Sequence, residues 1–511
     1  MHSKKFVLLL FISTVLIFTT KAQDVNVIPS TLPPVHNDSL IMHPKRPWKA
    51  ALETFGLNIG IWGVDRYVLQ GDFAHINGST IKNNFKSGFV WDNDQFSTNL
   101  FAHPYTGGLY FNTARNNGLN FYQSIPYSAG GSLMWEFFME NEPPAINDFI
   151  ATSLGGISLG EVTYRLSDLI IDSRSTGWER VGREILSTVI SPMTGLNRLI
   201  SGDMWKRRNF RGRSVANSVP LECVIRASYR GLAENTSIKE SISNSIYLDA
   251  ALMYGNSFDR DDQKPYDYFT LKAGFNLISD RQPFISNINA IGMIWGKNIN
   301  MKKPTRDMVL GIFQHFDYYD SYGGNFVGEG GVEKVDYHYY RIAEAAAFGG
   351  GMICQAKMSK NNLFLLSAYA NGILLGASST DYYNDIDRDY NLGSGYSAKL
   401  KTGFIFNSKL EVGLNVEHYQ IFTWKGYSSD IDWPDLTHEE GLYIDAQGDK
   451  GNSRLSIVGL SSTYKFNKYL NVYVNISDYI RKSHYSNPPI DKPGNVKYSV
   501  AEFKIGMGYL F

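Results

Sequence analysis

The last segment of the chain alternates strictly between apolar residues and polar or small ones. One face of an extended strand would carry Phe503, Ile505, Met507, Tyr509 and Phe511. The other face would carry Glu502, Lys504, Gly506 and Gly508. Successive side chains of a strand point to opposite faces, so this segment predicts a strand with one apolar side and one polar side. An aromatic residue that closes such a strand at the C-terminus is typical of outer-membrane β-barrels.

The same period recurs from residue 217 to the end of the chain, most clearly at 221–230, 269–277, 396–404, 410–417 and 470–477. Tight connections at 359–362, 407–408 and 466–468 alternate with long polar ones at about 320–338, 377–393, 424–452 and 483–496. This pattern favours a barrel over a soluble sandwich. Alternation is poor near 287–297, 363–375 and 453–466. We predict an antiparallel transmembrane barrel of about twelve strands over 217–511, with an even strand number as bacterial barrels require.

Inside such a barrel the polar face of each strand lines the lumen. The register places six charged residues there: Arg226, Arg230, Lys399, Lys401, Glu411 and Glu417. Both signs are present, so the sequence alone gives no ion preference.

The N-terminus has the pattern of a secretory signal peptide. Lys4 and Lys5 precede an apolar run over 6–20, and Ala22 closes a small-residue exit. We expect a signal peptide at 1–22 and a proline-containing periplasmic linker at 23–47.

Residues 48–213 have helix-like apolar spacing and no strict alternation. We predict a small helical domain on the periplasmic side that lies against the membrane. It could plug the barrel or dock beneath it, and the sequence leaves this open. Its run Gly155-Gly156-x-x-x-Gly160 indicates close helix packing, since no strand precedes it to form a phosphate loop. Asn147 and Asp148 follow two prolines and are interpreted as a helix cap.

Composition excludes several classes of protein. Lys plus Arg and Asp plus Glu both number 49, so the basic excess of a nucleic-acid binder is missing. A mean hydropathy of −0.23 argues against a bundle of membrane-spanning helices. Cys223 and Cys354 form no disulfide framework or metal-ligand spacing and should point outward from non-adjacent strands. We expect no cofactor and no metal.

The helical domain holds the polar residues that could carry chemistry. Glu136 and Glu140 are four residues apart, so both carboxylates project from one face of a helix. His103 could act as their partner or as a general base, and Asp148 could orient it. These four are the candidate catalytic residues.

A second group is formed by candidate binding residues. Arg115 could hold a phosphate or carboxylate with two hydrogen bonds, and Glu161, Asn112 and Tyr110 lie in the same polar blocks. None of the spacings is a specific motif, and mutual pairing of buried charges is the favoured interpretation of the whole cluster.

The segment from Trp91 to Glu161 resembles an uncharacterised family of Gram-negative envelope proteins that is known mainly by a domain of unknown function. The resemblance is carried by the blocks His103-Pro104-Tyr105-x-Gly107, Tyr110-Phe111-Asn112-x-Ala114-Arg115, Trp135-Glu136, Asn147-Asp148 and Gly160-Glu161. It implies an exported protein in the cell outer membrane and brings no activity with it.

Three hypotheses follow. The first is an outer-membrane barrel that binds or passes an envelope component, either a lipid or a small solute. The second is an envelope hydrolase of lipid or cell-wall material that uses the His/Glu/Asp cluster, and the third is a purely structural barrel. Outer-membrane lipid and the barrel-assembly machinery are the expected partners, and nucleic acid is not.

Overall fold

A computed structural model describes residues 44–92, 94–207, 219–234, 242–258, 263–279, 281–299, 305–327, 334–382, 388–428, 431, 444–488 and 493–511. The predicted signal peptide and most of the predicted linker lie outside the described residues.

The C-terminal part of the chain is a closed antiparallel barrel of twelve strands, which confirms the predicted fold class. Its strands are β1 (Leu221–Glu234), β2 (Ile242–Tyr254), β3 (Phe269–Ser279), β4 (Ile285–Ile299), β5 (Arg306–Asp320), β8 (Arg341–Lys357), β9 (Leu363–Ser379), β10 (Tyr390–Phe406), β11 (Leu410–Thr423), β12 (Gly451–Lys465), β13 (Leu470–Tyr485) and β14 (Asn495–Leu510). A small separate hairpin, β6 (Gly324–Val327) and β7 (Lys334–Tyr337), lies between β5 and β8. Each barrel strand pairs with its chain neighbour, and β1 pairs with β14 from Val224↔Leu510 to Glu234↔Val500.

The two ends of the barrel differ in their connections. The long-loop end carries the connections 321–340, 380–389, 424–450 and 486–494. The short-turn end carries the tight turns 358–362, 407–409 and 466–469 and also one longer connection, 255–268. Two residues of one tight turn, Asn407 and Ser408, have positive φ angles of 49° and 58°. The outward face is apolar over much of its area, with exposed side chains such as Ile246, Leu400, Leu460 and Ile505. Cys223 and Cys354 are free and lie on β1 and β8, which are not neighbours in the barrel.

The N-terminal region is helical. Its helices are α1 (Pro47–Val64), α2 (Gly78–Ser87), α3 (His103–Asn116), α4 (Phe121–Phe138), α5 (Ile146–Ile150), α6 (Gly156–Ile170), α7 (Gly177–Ile190) and α8 (Pro192–Ser201).

Asn77 and Asn120 each form a capping box that fixes the first turn of α2 and α4. Asn147 and Asp148 are not a cap: α5 begins after Ala145, which has no side-chain oxygen to cap it, and both residues lie inside the helix. Among the described residues, no helix combines the length and the apolar character needed to cross a lipid bilayer.

The helices pack on the outside of the barrel wall, and we call them the helical layer (residues 47–201). Phe96 contacts Tyr318 and Tyr390 at the long-loop end. At the short-turn end Arg165 pairs with Asp267 at 3.0 Å. The layer thus extends along the height of the wall. The described helices neither plug the lumen nor dock beneath the barrel, because their apolar side chains pack on outward-facing residues of β3–β5 and β8–β10.

Small residues bring α3 and α6 into close contact. A methyl group on Gly107 or Gly108 would collide with the backbone of Thr152 or Gly160, and one on Gly156 with the backbone of Gly107. Gly155 lies against the backbone oxygen of Ala345 in β8. The predicted role of the glycine run in close packing is confirmed, and it joins helix to helix and helix to barrel.

Candidate functional site

The four candidate catalytic residues do come together, in a closed acidic cluster. His103 Nε2 lies 3.5 Å from Asp148 Oδ2. Glu136 Oε2 accepts a hydrogen bond of 2.8 Å from the backbone N–H of Ala145. The indole N–H of Trp135 donates to Glu140 Oε2 at 3.1 Å. Sequence reasoning left Asp92 out of the candidate set, although its charge acts on His103, Glu136, Glu140 and Asp148.

Burial determines the protonation of this cluster. Burial first, and then the negative charges of Asp92 and Asp94, raise the pKa of Glu136 to about 8. Burial and the neighbouring carboxylates also hold the pKa values of Glu140 and Asp148 well above their usual range. Burial lowers the pKa of His103. Protonated carboxyl groups are therefore favoured in this cluster near neutral pH.

Thr152, His103 and Asp148 form a chain that superficially resembles a catalytic triad. Thr152 Oγ1 lies 3.3 Å from His103 Nδ1. The Thr152 side chain is buried, however, under Ser128, whose hydroxyl donates to the Thr152 carbonyl at 3.0 Å. No substrate could reach this hydroxyl without opening the helical layer, so the arrangement supports packing and not catalysis.

The protonated cluster predicts a dependence of stability on pH. The folded pKa of Glu136 lies above its unfolded value of about 4.5, so the folded state keeps a proton that the unfolded state releases. Stability of the helical layer should fall as pH rises from about 4.5 to about 8. Glu136→Gln is isosteric and neutral, so it should raise the urea midpoint at about pH 8 and flatten this dependence, as followed by far-ultraviolet circular dichroism.

Glu179→Gln is the matched control, because Glu179 is exposed on α7 and pairs only with Arg183 at the surface. It should leave the pH dependence unchanged. An unaltered pH profile in Glu136→Gln would show that Glu136 is ionised in the folded protein.

The candidate binding residues form a separate network. Glu161 is fully buried and accepts hydrogen bonds from Arg115 Nε at 2.7 Å and Arg115 Nη2 at 3.1 Å. Arg165 Nε donates to the other side of Glu161 at 2.8 Å. Arg165 was not among the sequence candidates, although its i,i+4 spacing from Glu161 was a usable signal. Arg115 is thus engaged by the protein itself.

Tyr110 and Asn112 also bond within the helical layer. The Tyr110 hydroxyl donates to Asn58 Oδ1. Asn112 Nδ2 donates to Thr163 at 3.1 Å and to Ser191 at 3.2 Å. Arg115 and Glu161 thus form a network apart from the acidic cluster, whereas Tyr110 lies within the electrostatic reach of Glu136 and Glu140.

A layer of cross-lumen contacts closes the long-loop half of the barrel. The Lys399 ammonium on β10 contacts both Asp317 on β5 and Glu344 on β8, and it lies 3.0 Å from His315 Nδ1. The Tyr419 hydroxyl donates to Asp317 at 2.8 Å. We call the set that spans the lumen here the closing layer: Arg230, Asp317, Tyr340, Glu344, Lys399, Tyr419 and Tyr479.

The rest of the closing layer is equally dense. Arg230 on β1 donates to Glu502 at 2.7 Å and to the Tyr340 hydroxyl at 2.8 Å. The rings of Tyr340 and Tyr479 stack at 4.1 Å between centroids. The Arg230–Tyr340 and Tyr340–Tyr479 contacts join parts of the wall that are not neighbours in the barrel, so they lie inside it. The predicted inward orientation of Arg230, Lys399 and Glu417 is confirmed by the contacts of these three side chains.

Sequence reasoning missed His315, Asp317 and Glu344. In the described part of the chain they are the group of potential metal ligands whose donor atoms lie within 4.8 Å of one another. The Lys399 ammonium already supplies positive charge there. The alternation His315-x-Asp317 on one strand face was the available signal.

The short-turn half of the lumen is a vestibule lined by Arg226, Asp249, Lys272, Lys401, Glu417 and Lys504. Lys272 points inward, because its neighbours Leu271 and Ala273 pack on the outward side against the helical layer. It is nevertheless exposed to solvent. Small inward residues surround this space, including Gly413, Gly459 and Ser461. A side chain that is both inside the barrel and exposed requires a water-accessible vestibule.

The cations of the vestibule are unequally neutralised. Arg226 lies 3.6 Å from Asp249, Lys401 lies 3.7 Å from Glu417, and Lys504 lies 2.9 Å from Glu502. Within the described residues Lys272 has no carboxylate at ion-pair distance, and the positive charges of Lys401 and Arg226 and the negative charges of Glu417 and Asp249 all act on it. Lys272 is thus the one of these four cations that no carboxylate in the described part of the chain contacts directly.

Comparisons with known proteins agree with the resemblance noted in the sequence. Residues 88–193 match a family described as a domain of unknown function (DUF3943). The resemblance to an uncharacterised family is confirmed over that segment, which includes the acidic cluster and the Arg115–Glu161 pair. No curated protein matches the chain.

Several solved structures have related chain traces. The NanC porin is 8% identical, with 55% of this chain and 98% of that chain covered and a TM-score of 0.24. OmpT of Vibrio cholerae is 10% identical, with coverages of 57% and 97% and a TM-score of 0.24. The Pseudomonas putida toluene transporter TodX is 9% identical, with coverages of 57% and 89% and a TM-score of 0.21. At these values the fold assignment here rests on the strand pairing of the chain itself.

Proposed function

We propose that the protein is an outer-membrane barrel whose vestibule binds a small anionic solute or the anionic group of an envelope component. The carrying observation is Lys272, an ammonium that is inside the barrel, solvent-exposed and without an ion-pair partner in the described residues. A cation that no carboxylate contacts directly can attract an anion in a confined cleft, because the low-dielectric walls focus its field. Carboxylate and phosphate groups are the ligand chemistry that lysine and arginine bind.

The closing layer bears on whether a ligand passes through. Among the described residues, buried side chains from across the barrel fill the long-loop half of the lumen, so we infer that the vestibule opens at the short-turn end. Short turns face the periplasm in bacterial outer-membrane barrels. We infer that binding takes place from the periplasmic side, and that passage would require the closing layer to separate.

The membrane location has its own test. Folded outer-membrane barrels keep a compact form in detergent and change gel mobility on boiling. We expect the protein in the outer-membrane fraction with a boiling-dependent shift in mobility. A soluble protein without such a shift would contradict the location.

The binding proposal is tested with inorganic tripolyphosphate as the probe and the neutral sugar maltotriose as its comparison, by calorimetry on purified full-length protein in detergent. Tripolyphosphate should bind, and maltotriose should not. Lys272→Met should weaken the affinity about tenfold or more, since a charge-assisted hydrogen bond contributes about 1.5–3 kcal/mol.

Lys297→Met is the matched control. Lys297 lies on β4 opposite Leu310, on the outward face near the short-turn end, so its loss should leave affinity unchanged. Equal weakening by both variants, equal binding of the neutral sugar, or no binding of tripolyphosphate would overturn the proposal.

A further inference from the structure

The helical layer has an inside-out distribution of side chains. On α1, Thr54 and Asn58 are buried, where they bond to Thr113 at 2.7 Å and to the Gly131 carbonyl at 3.1 Å. The opposite side of the same helix exposes Trp48, Leu52, Phe55 and Ile59. These positions follow the 4-3-4 spacing of one helix face, so the exposed stripe is continuous.

Helix α7 repeats this arrangement. It buries Glu184 and Ser187 and exposes the stripe Trp178, Val181, Ile185 and Val189. Trp48 and Trp178 are 82% and 87% exposed, although tryptophan is among the most apolar side chains. A helix in water places its apolar face towards the protein core. Helices α1 and α7 do the opposite, as expected of helices that are surrounded by an apolar medium.

The interior of the helical layer also has the composition expected of helices that are surrounded by lipid. Apart from Phe121 in its first turn, the buried residues of α4 are Ser124, Ser128, Gly131, Ser132 and Glu136. Helices α3 and α6 meet through glycines. Small and hydroxyl side chains at helix contacts, with polar groups turned inward, are characteristic of helix packing in membranes, where lipid tails give no hydrophobic drive to helix association.

The position of the layer identifies its surroundings. It covers the outward face of β3–β5 and β8–β10 near the long-loop end, and it reaches the short-turn end beside β2 and β3. The outward faces of the remaining strands expose Leu460, Ile476 and Ile505. The stripes of α1 and α7 therefore belong to an apolar surface that continues around the barrel.

We propose that the stripes of α1 and α7 are immersed in the acyl chains of the bilayer, so that the helical layer is a membrane-embedded companion of the barrel wall. This inference rests on the membrane location in the proposed function. A second copy of the chain or a soluble partner on the same surface would be a different arrangement, and the test separates these cases.

The experiment uses nitroxide spin labels on full-length protein reconstituted in phosphatidylcholine vesicles, with Cys223 and Cys354 replaced by serine. Single cysteines are introduced by Phe55→Cys on α1 and Ile185→Cys on α7. Glu179→Cys, which is exposed on the same α7 helix, is the control. Ile505→Cys on the barrel wall and Lys360→Cys in a tight turn provide lipid and water references. Collision rates with oxygen, which dissolves in lipid, and with a nickel chelate, which stays in water, report the surroundings of each label.

We expect the labels at positions 55 and 185 to match the lipid reference, with an oxygen-to-nickel collision ratio several-fold above that at positions 179 and 360. A ratio equal to that of the water reference would overturn the inference, and so would low collision rates with both reagents, which indicate protein cover. A label at position 505 in water would contradict the membrane location itself. Lipid at 505 combined with water or protein at 55 and 185 would contradict this inference alone. Circular dichroism of each labelled variant shows that the helices are intact.

Discussion

Glu161→Ala is expected to lower the free energy of unfolding of the helical layer by about 3–5 kcal/mol. Glu161 is fully buried between two arginines. Burial alone would raise the pKa of this carboxyl group, but the positive charges of Arg115 and Arg165 outweigh it and lower the pKa. Removing the carboxylate leaves the Arg115 guanidinium without its carboxylate partner, while Arg165 keeps Asp267 at 3.0 Å. Urea unfolding followed by far-ultraviolet circular dichroism measures the change, with the barrel remaining folded in detergent.

The chain offers a matched control in Glu179→Ala. Glu179 also pairs with an arginine four residues later, at 3.0 Å from Arg183, but on an exposed helix face. Its loss should cost less than about 0.5 kcal/mol, as for other exposed i,i+4 pairs. Similar costs for the two variants would mean that the Glu161 network is hydrated, and that it does not hold α3, α6 and the barrel together.

The barrel was predictable because alternation has a simple cause: one face of each strand meets an apolar solvent and the other meets the lumen. The same cause explains where alternation failed. Strand β4 buries Ile288 and Ala290 on its outward face under the helical layer, and Ile291 and Met293 on its inward face. With both faces covered, the sequence of β4 becomes apolar throughout, as in strands buried on both sides. Sequence alone does not show that another part of the chain covers the wall.

The candidate site was predictable in part. The i,i+4 spacing placed Glu136 and Glu140 on one face, and the structure brings His103 and Asp148 to them. The separation of Arg115 and Glu161 into another network depends on the crossing of α3 and α6, which spacing along one helix does not encode. Lys272 was not singled out, because its importance arises from the absence of a partner across the lumen.

The helical layer shows a further limit of pattern reading. Its helices were recognised, but amphipathic patterns are ordinarily interpreted with the apolar face inward. On α1 and α7 the apolar faces are outward. The pattern gives the helix period equally well in either case, so only the fold reveals which face is buried.

Lys399→Met is expected to destabilise the barrel by about 3–5 kcal/mol, the cost of breaking a buried ion network by removing one partner. The Lys399 side chain is 1% exposed and contacts Asp317 and Glu344, whose carboxylates would remain buried without a cation. The temperature at which the folded form loses its compact mobility on gels should fall accordingly. Combining Lys399→Met with Asp317→Asn and Glu344→Gln should recover much of the loss, because neutral polar groups are less costly to bury than unpaired charges.

Lys401→Met tests whether burial is the cause. Lys401 is the next inward position on the same strand, lies 3.7 Å from Glu417, and has a side chain that is 28% exposed in the vestibule. After the removal of Lys401, Glu417 keeps the hydrogen bonds that the Tyr319 and Tyr419 hydroxyls donate to it at 2.8 and 2.6 Å, so the expected cost is about 1 kcal/mol or less. Equal destabilisation by Lys399→Met and Lys401→Met, or no recovery in the triple variant, would show that the closing layer is hydrated. The long-loop half of the lumen would then be open to water and ions, and the vestibule would continue across the membrane as a channel instead of ending at Lys399.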